Sequence, residues 1–357
     1  MIKLLIAGDS ALMRRHLTQI FEEAGGYLIQ VARNGADAVR QNREFCPDVI
    51  TLDINMPEMD GLSALALIMA ERPVPVIMVS SLTVSGAMNT FEALNLGAVD
   101  YIAKPDGSIS LSVDSIKREL LAKVAAATRA KIRPAAKKTV PSLTGKTAGT
   151  RPQHSGKAST STAVGVRDKV VLIGVSTGGP RTLEDILPAL PQDLKAPVLV
   201  AQHMPASFTR SLASRLENLC PLHVSEVSQL TALEKGCIYI GRGGADLTLS
   251  LRQNRLYAQS SPENPDYLWH PSVELLGQSA LRHCSAENVM AVLLTGMGND
   301  GSVAFSQLHQ KGATTIAESE ESAIVFGMPA ELIALKGAGK VLPSPAIAAE
   351  ITRWAGC

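Results

Sequence analysis

The chain has little cysteine, almost no surplus charge and no long hydrophobic run, and each shortage excludes a class of protein. Its five cysteines (Cys46, Cys220, Cys237, Cys284 and Cys357) are scattered, odd in number and without C-x-x-C spacing. Neither a disulfide framework nor a zinc site is indicated, and a reducing cytoplasmic compartment is the simplest expectation. A formal net charge of +1 predicts no global attraction to nucleic acid or membrane. No apolar stretch approaches the roughly 18 to 20 residues that span a bilayer, and the chain begins directly with the strand-like Ile2-Lys-Leu-Leu-Ile-Ala7, so secretion and membrane insertion are not expected.

What is present suits compact α/β domains. With 46% hydrophobic and 19% charged residues over 357 positions, the chain is long enough for two domains, each with its own core. From Ile2 to about Arg129 short apolar runs alternate with longer amphipathic ones. The runs 2–7, 27–32, 49–53, 75–79 and 100–103 read as strands, and helices are expected to begin near Ala11, Gly35, Leu62, Gly86 and Ile109. A parallel sheet of this kind presents its site at the carboxyl ends of its strands, where Asp9, Asp53, Ser80 and Lys104 stand. Two carboxylates there can share a hard divalent cation, while a lysine and a hydroxyl can bind phosphoryl oxygens. That is the chemistry of a carboxylate that becomes phosphorylated.

Between the two halves the pattern stops. The stretch from Lys131 through Thr162 is rich in Pro, Gly, Ser and Thr, shows no buried-residue period and carries no acidic residue, so a disordered basic tether is expected. Its positive charge serves solubility or docks on an acidic partner surface.

From Val170 the βα alternation resumes, with strands expected at 170–174, 197–201, 237–241, 289–294 and 314–317. The stretch Val170-Val-Leu-Ile-Gly-Val-Ser176-Thr-Gly-Gly-Pro180 reads as a strand, a tight turn and a helix start, with Pro180 suited to the first helical turn. Gly174-Val-Ser176-Thr-Gly178 fits the nucleophile-elbow signature, although such a turn could also cradle a phosphate or a dinucleotide. Gln202 and His203 follow the next strand, where a dinucleotide site would want an acid. Asp300 follows a third strand in Thr295-Gly-Met-Gly-Asn-Asp300-Gly. Ser176, His203 and Asp300 can thus form a nucleophile, a base and its orienting carboxylate on one sheet edge. A capping role for Asp300, and His270 or His283 as the base, stay open on this reading.

Two resemblances follow. Asp9-Ser10, Leu52-Asp53-Ile-Asn55-Met-Pro57-Glu-Met-Asp60-Gly61, Val79-Ser80-Ser81 and Tyr101-Ile-Ala-Lys104-Pro105 resemble a response-regulator receiver domain. Gly174-Val-Ser-Thr-Gly-Gly-Pro, Gln202-His-Met-Pro, Thr295-Gly-Met-Gly-Asn-Asp-Gly and Phe326-Gly-Met-Pro resemble the CheB chemotaxis methylesterases, which carry a receiver, a tether and a catalytic domain in that order. The resemblance implies a flavodoxin-like (βα)5 receiver over 1–125, a flexible basic linker over 126–167, and a doubly wound, mainly parallel α/β methylesterase domain over 168–357.

It also implies roles. Asp53 accepts a phosphoryl group from a CheA-type histidine kinase, Mg²⁺ is held by Asp9, Asp53 and the main-chain oxygen of Asn55, Ser80 and Lys104 read the phosphate, and Tyr101 is the switch aromatic. Ser176, His203 and Asp300 hydrolyse γ-glutamyl methyl esters on methyl-accepting chemotaxis receptors and deamidate receptor glutamines, with no cofactor for the ester chemistry. Backbone N–H groups near Thr177 and Met297 are the oxyanion candidates. A non-catalytic receptor-binding regulator and a general small-ester hydrolase are the rivals. The sequence departs from the family in three places: Gly8 replaces the first of two acids, so weaker Mg²⁺ binding is expected; Arg242-Gly-Gly-Ala-Asp246 stands for Pro-Gly-Gly-x-His; and His270-Pro-Ser-Val273 stands for Arg-Pro-Ser-Val. Altered receptor preference is expected from the last two.

Overall fold

The computed structural model describes residues 1–81, 83–104, 113–132 and 163–356. The expected helix start at Ile109, Pro105 of the receiver motif and the linker residues 133–162 lie outside the described residues.

The first half alternates β1 (Ile2–Ala7), α1 (Ala11–Ala24), β2 (Tyr27–Ala32), α2 (Gly35–Glu44), β3 (Val49–Asp53), α3 (Gly61–Glu71), β4 (Val76–Ser80), α4 (Val84–Leu96), β5 (Asp100–Ala103) and α5 (Val113–Ala127). The strands pair in parallel in the order β2-β1-β3-β4-β5. β3 and β4 are buried at every position, which is why their sequences run apolar without alternation. Each of the first four helices opens on a polar cap whose side chain accepts a backbone N–H: Ser10, Asn34, Asp60 and Thr83. The caps fix where each strand-to-helix turn ends and so set the rim on which Asp53 and Ser80 stand.

The second half comprises β6 (Val170–Val175), α6 (Gly179–Ile186), β7 (Val198–Gln202), α7 (Ala206–Leu219), β8 (His223–Val227), β9 (Thr231–Ala232), β10 (Cys237–Gly241), β11 (Asp246–Arg252), β12 (Arg255–Ser261), α8 (Val273–His283), β13 (Val289–Leu293), α9 (Ser302–Gln310), β14 (Thr314–Glu318), α10 (Met328–Ala334), β15 (Lys340–Leu342) and α11 (Ser344–Ala355). Seven strands form a parallel sheet ordered β15-β14-β13-β6-β7-β10-β8. The five central strands coincide with the expected ones, and β8 and β15 extend the sheet at its edges. A three-stranded antiparallel sheet, β11-β12-β9, is a further addition. Residues 163–165, which the sequence reading placed in the linker, bridge to this sheet at Glu234 and Arg255, and Val164 is fully buried.

The two halves touch. Helix α4 packs on α6 and α7, the Tyr101 ring stacks on Phe208 at 4.7 Å between centroids, and the Lys131 N–H donates to the Ile324 carbonyl at 3.0 Å. No described helix is long and apolar enough to cross a membrane.

Candidate active site

The order of the large sheet explains why three residues distant in sequence meet. Strand β6 is flanked by β7 and β13, so the carboxyl ends carrying Ser176, His203 and Asp300 are neighbours at the point where the winding reverses. His203 Nδ1 lies 3.0 Å from Ser176 Oγ, and His203 Nε2 lies 2.7 Å from Asp300 Oδ2. The hydroxyl is therefore within reach of a base that is itself oriented by a carboxylate, the arrangement that nucleophilic catalysis requires. Trp269 stacks beside the imidazole, 5.8 Å between centroids and 14° from parallel. All three polar side chains are largely withdrawn from solvent.

Asp300 is held far more firmly than the strand-end pattern indicates. It lies just before Gly301, the residue that caps α9, yet its carboxylate serves the other helix of the pair. Oδ2 accepts from the Val273 N–H at 2.7 Å, and Oδ1 accepts from the Glu274 N–H at 2.9 Å and the Ser272 hydroxyl at 3.0 Å. The positive end of α8 and the His203 ring together surround the anion. Burial alone would raise the Asp300 carboxyl, but the bonds from His203, Glu274 and Val273 outweigh it and hold the group below the ordinary range. Sequence reasoning missed the part played by Ser272, Val273 and Glu274, although a serine followed by a hydrophobic helical run is itself a cap signal.

The turn after β6 is shaped by close approach. Gly178 adopts φ +79°, and a Cβ on Gly179 would collide with Gln202 Oε1. Gln202 in turn donates to the carbonyls of Ser176 and His203, each at 3.0 Å, and ties the first two strand ends together. From the other side Ser176 N–H donates to the Thr295 carbonyl at 2.9 Å, and a Cβ on Gly296 would stand 2.7 Å from Ser176 Cβ. The backbone N–H groups of Thr177 and Met297 flank this position, and neither has a hydrogen-bond partner among the described residues. They are free to serve a developing oxyanion.

A cavity of about 680 Å³ opens in front of Ser176 and His203. Its walls come from both halves: Asp100, Arg118 and Lys123 on one side, Trp269 and His270 on the other. Asp100 accepts from the Thr177 hydroxyl at 2.7 Å. Lys123, almost fully buried, lies 3.4 Å from Asp100 and 2.9 Å from Glu119. Burial would depress this ammonium, but the two carboxylates prevail and raise it, so it stays charged.

On the rim of the first sheet Asp53, Ser80 and Lys104 gather, with Asp9 beside them. Lys104 Nζ sits 2.6 Å from Asp53 Oδ2, and the Asn55 N–H donates to Asp53 Oδ1 at 3.1 Å. Burial pushes the Asp53 carboxyl up, against the pull of Lys104 and with repulsion from Asp9 added. Ser80 Oγ donates to the Gly86 carbonyl at 3.1 Å. Tyr101 is turned inward at the contact between the halves, not outward to solvent, and burial pushes its phenol well up. Asp53, Asp9 and the Asn55 carbonyl are all oxygen donors, a set that fits a small hard cation. Gly8 supplies no donor, and a Cβ there would lie 3.6 Å from Asp53 Oδ2.

Fold and site define a two-part α/β protein in which a five-stranded parallel sheet precedes a seven-stranded one carrying a Ser–His–Asp constellation of the kind serine hydrolases use. The sequence matches the CheB methylesterase family over residues 171–351 and the response regulator receiver domain over residues 4–112. A curated relative from Rhodospirillum rubrum, named protein-glutamate methylesterase/protein-glutamine glutaminase 3, is 52% identical over 99% of this chain and 96% of its own. One of the same name, numbered 2, from Rhodopseudomonas palustris is 46% identical over 99% of this chain and 98% of its own. The crystal structure of the CheB methylesterase catalytic domain of Thermotoga maritima, 36% identical, covers 52% of this chain and 98% of its own with a TM-score of 0.50. The chain belongs to the CheB methylesterase family. It is an enzyme of that family with a receiver domain at its N-terminal end.

Proposed function

We propose that this enzyme is a phosphorylation-gated protein-glutamate methylesterase, and a protein-glutamine glutaminase, acting on chemoreceptors in the cytoplasm. The observation that carries the reading is the Ser176–His203–Asp300 chain of contacts at 3.0 and 2.7 Å, lying beneath a contact with the receiver. Ser176 Oγ attacks the side-chain carbonyl of a γ-glutamyl methyl ester while His203 takes its proton. Asp300 holds the imidazole in the tautomer that can accept, and stabilises the imidazolium that forms. The N–H groups of Thr177 and Met297 receive the oxyanion, each worth about 2.7 to 4 kcal/mol of transition-state stabilisation. His203 then returns the proton to methanol, or to ammonia when a glutamine is the substrate, and water releases the acyl group by the same steps.

The receiver supplies the gate. Asp53 accepts a phosphoryl group from a histidine kinase, and Ser80 and Lys104 bind the new phosphoryl oxygens. Asp9, Asp53 and the Asn55 carbonyl would hold Mg²⁺, which would supply positive charge beside the phosphoryl oxygens. Movement of the rim repacks Tyr101 against Phe208 and frees Thr177 from Asp100. The segments divide as a receiver over 1–125 and a catalytic domain over 168–357, joined by residues 126–167, of which 163–165 already pair with the catalytic half. The test is methanol release from methylated receptor membranes with and without a small phosphoryl donor and Mg²⁺. Donor-stimulated release that vanishes in Ser176→Ala supports the reading; retained receptor binding with no release from the wild type would make the protein a non-catalytic regulator.

A further inference from the structure

A second imidazole–carboxylate pair stands in the wall of the catalytic cavity, and the ester chemistry leaves it without a task. His270 lines the cavity, and its Nδ1 lies 2.8 Å from Asp246 Oδ1. Asp246, at the start of β11, is 1% exposed and already accepts two backbone donors: the Ser272 N–H at 2.8 Å on Oδ1 and the Asn264 N–H at 2.9 Å on Oδ2. The His270 side chain retains 12% exposure, and its Nε2 has no hydrogen-bond partner among the described residues. The pair adjoins the site through the backbone as well. Met204 N–H, one residue beyond His203, donates to the His270 carbonyl at 3.3 Å, and the flanking residues Trp269 and Ser272 contact His203 and Asp300.

The chemistry of the pair fixes what it presents. A carboxylate that takes two N–H donors can only accept from the ring, so Nδ1 carries a proton, and a ring without a second proton has the lone pair of Nε2 to offer a ligand. Of the two leaving groups a glutamate-type side chain can carry, only one answers an acceptor. A glutamine carboxamide has N–H donors, both before attack and after its nitrogen has taken a proton from His203; a methyl ester oxygen has none. We infer that His270, oriented by Asp246, is a specificity residue that accepts a hydrogen bond from the substrate carboxamide and so favours deamidation of glutamine over hydrolysis of the ester. The inference rests on the hydrolase reading and adds a substrate preference to it. His270 takes no part in bond making: Ser176 still forms the acyl bond, the C–N bond breaks, and ammonia leaves with the proton from His203.

The experiment compares ammonia and methanol release by the full-length protein from one receptor carrying glutamine or methyl-glutamate at the same position. His270→Phe keeps a planar ring and removes the acceptor; His270→Gln gives up the ring but returns a carbonyl oxygen at comparable reach, with an amide N–H for Asp246. The expected result is a fall of about tenfold in the ammonia-to-methanol ratio for His270→Phe, the scale of one hydrogen bond, with the ratio largely restored in His270→Gln. Parallel loss of both activities in both variants would reduce His270 to a structural support and overturn the inference. An unchanged ratio, or a wild type that releases methanol but no ammonia, would also overturn it while leaving the esterase reading intact. A wild type that releases neither would remove both.

Discussion

Thr177, the residue after the nucleophile candidate, donates its hydroxyl to Asp100 of the receiver at 2.7 Å. A carboxylate of one half thus holds the turn on which the other half stages its chemistry, and the same carboxylate is paired with the buried Lys123. A hydrogen bond to a charged acceptor contributes about 1.5 to 3 kcal/mol. Thr177→Val keeps the shape and the backbone N–H but removes that bond. Methanol release without phosphoryl donor is expected to rise by about tenfold or more, while the donor-stimulated rate moves little, so that the stimulation ratio collapses. A ratio equal to that of the wild type would show that this contact does not gate the enzyme.

Asp300 has four donors around one carboxylate, and that count sets the effect of replacing it. Asp300→Asn presents an amide N–H where an acceptor is needed and favours the wrong histidine tautomer. Turnover of the methyl ester is expected to fall by about 10⁴-fold with the substrate still bound, the size seen when a triad carboxylate is neutralised. Steady-state rates together with receptor co-sedimentation check both halves of this statement.

Much of this site could be read from the sequence because each of its three members follows an apolar run, and Ser176 and Asp300 stand in glycine-rich turns. The run 170–175 before Ser176, the run 198–202 before His203 and the run 289–293 before Asp300 are all fully buried, and buried parallel strands leave their identity in composition. The supports were harder to see. Ser272, Val273 and Glu274 bind Asp300 through a hydroxyl and two backbone N–H groups across more than 25 residues, and a backbone donor carries no residue signature. The antiparallel sheet was missed although β11 alternates Leu247, Leu249 and Leu251 with Thr248, Ser250 and Arg252, and the left-handed Gln253 and Asn254 turn it into β12. Its period-2 pattern is short and lies between glycine-rich and polar stretches. Val164 gave no signal because a single buried valine after a long tether has no period to betray it.

The pull on the Asp300 carboxyl has a stability consequence whose sign is fixed. Its folded pKa is lowered, so the folded state binds the proton less readily than the unfolded chain does. The resulting stabilisation is fully present above the unfolded carboxylate value of about 3.9 and is lost as pH falls from there through the folded pKa. Urea unfolding followed by Trp269 and Trp354 fluorescence is expected to show a midpoint that drops in this acid window for the wild type. Asp300→Asn should start lower at pH 7 and lose less on acidification. Parallel curves for the two proteins would mean that the bonds to His203 and α8 do not stabilise the charged form.

Gly8 offers the opposite kind of test, a gain. The position lies beside Asp53, and a Cβ there would sit 3.5 Å from Asp53 Cβ and 3.6 Å from Asp53 Oδ2, ordinary contact distances. Its φ lies outside the left-handed region, so a side chain is admitted without backbone strain. Gly8→Asp would add a third carboxylate to Asp9 and Asp53, and an additional charged oxygen donor strengthens the hold on a hard cation. Half-saturation by Mg²⁺ in acetyl-phosphate-driven phosphorylation of Asp53 is expected to fall by several-fold relative to wild type. In the absence of metal the added charge should push the Asp53 carboxyl further up, since Asp9 already does so. Unchanged Mg²⁺ dependence in Gly8→Asp would mean that the cation does not approach the β1 end of the site, and that Asp9 is not among its ligands.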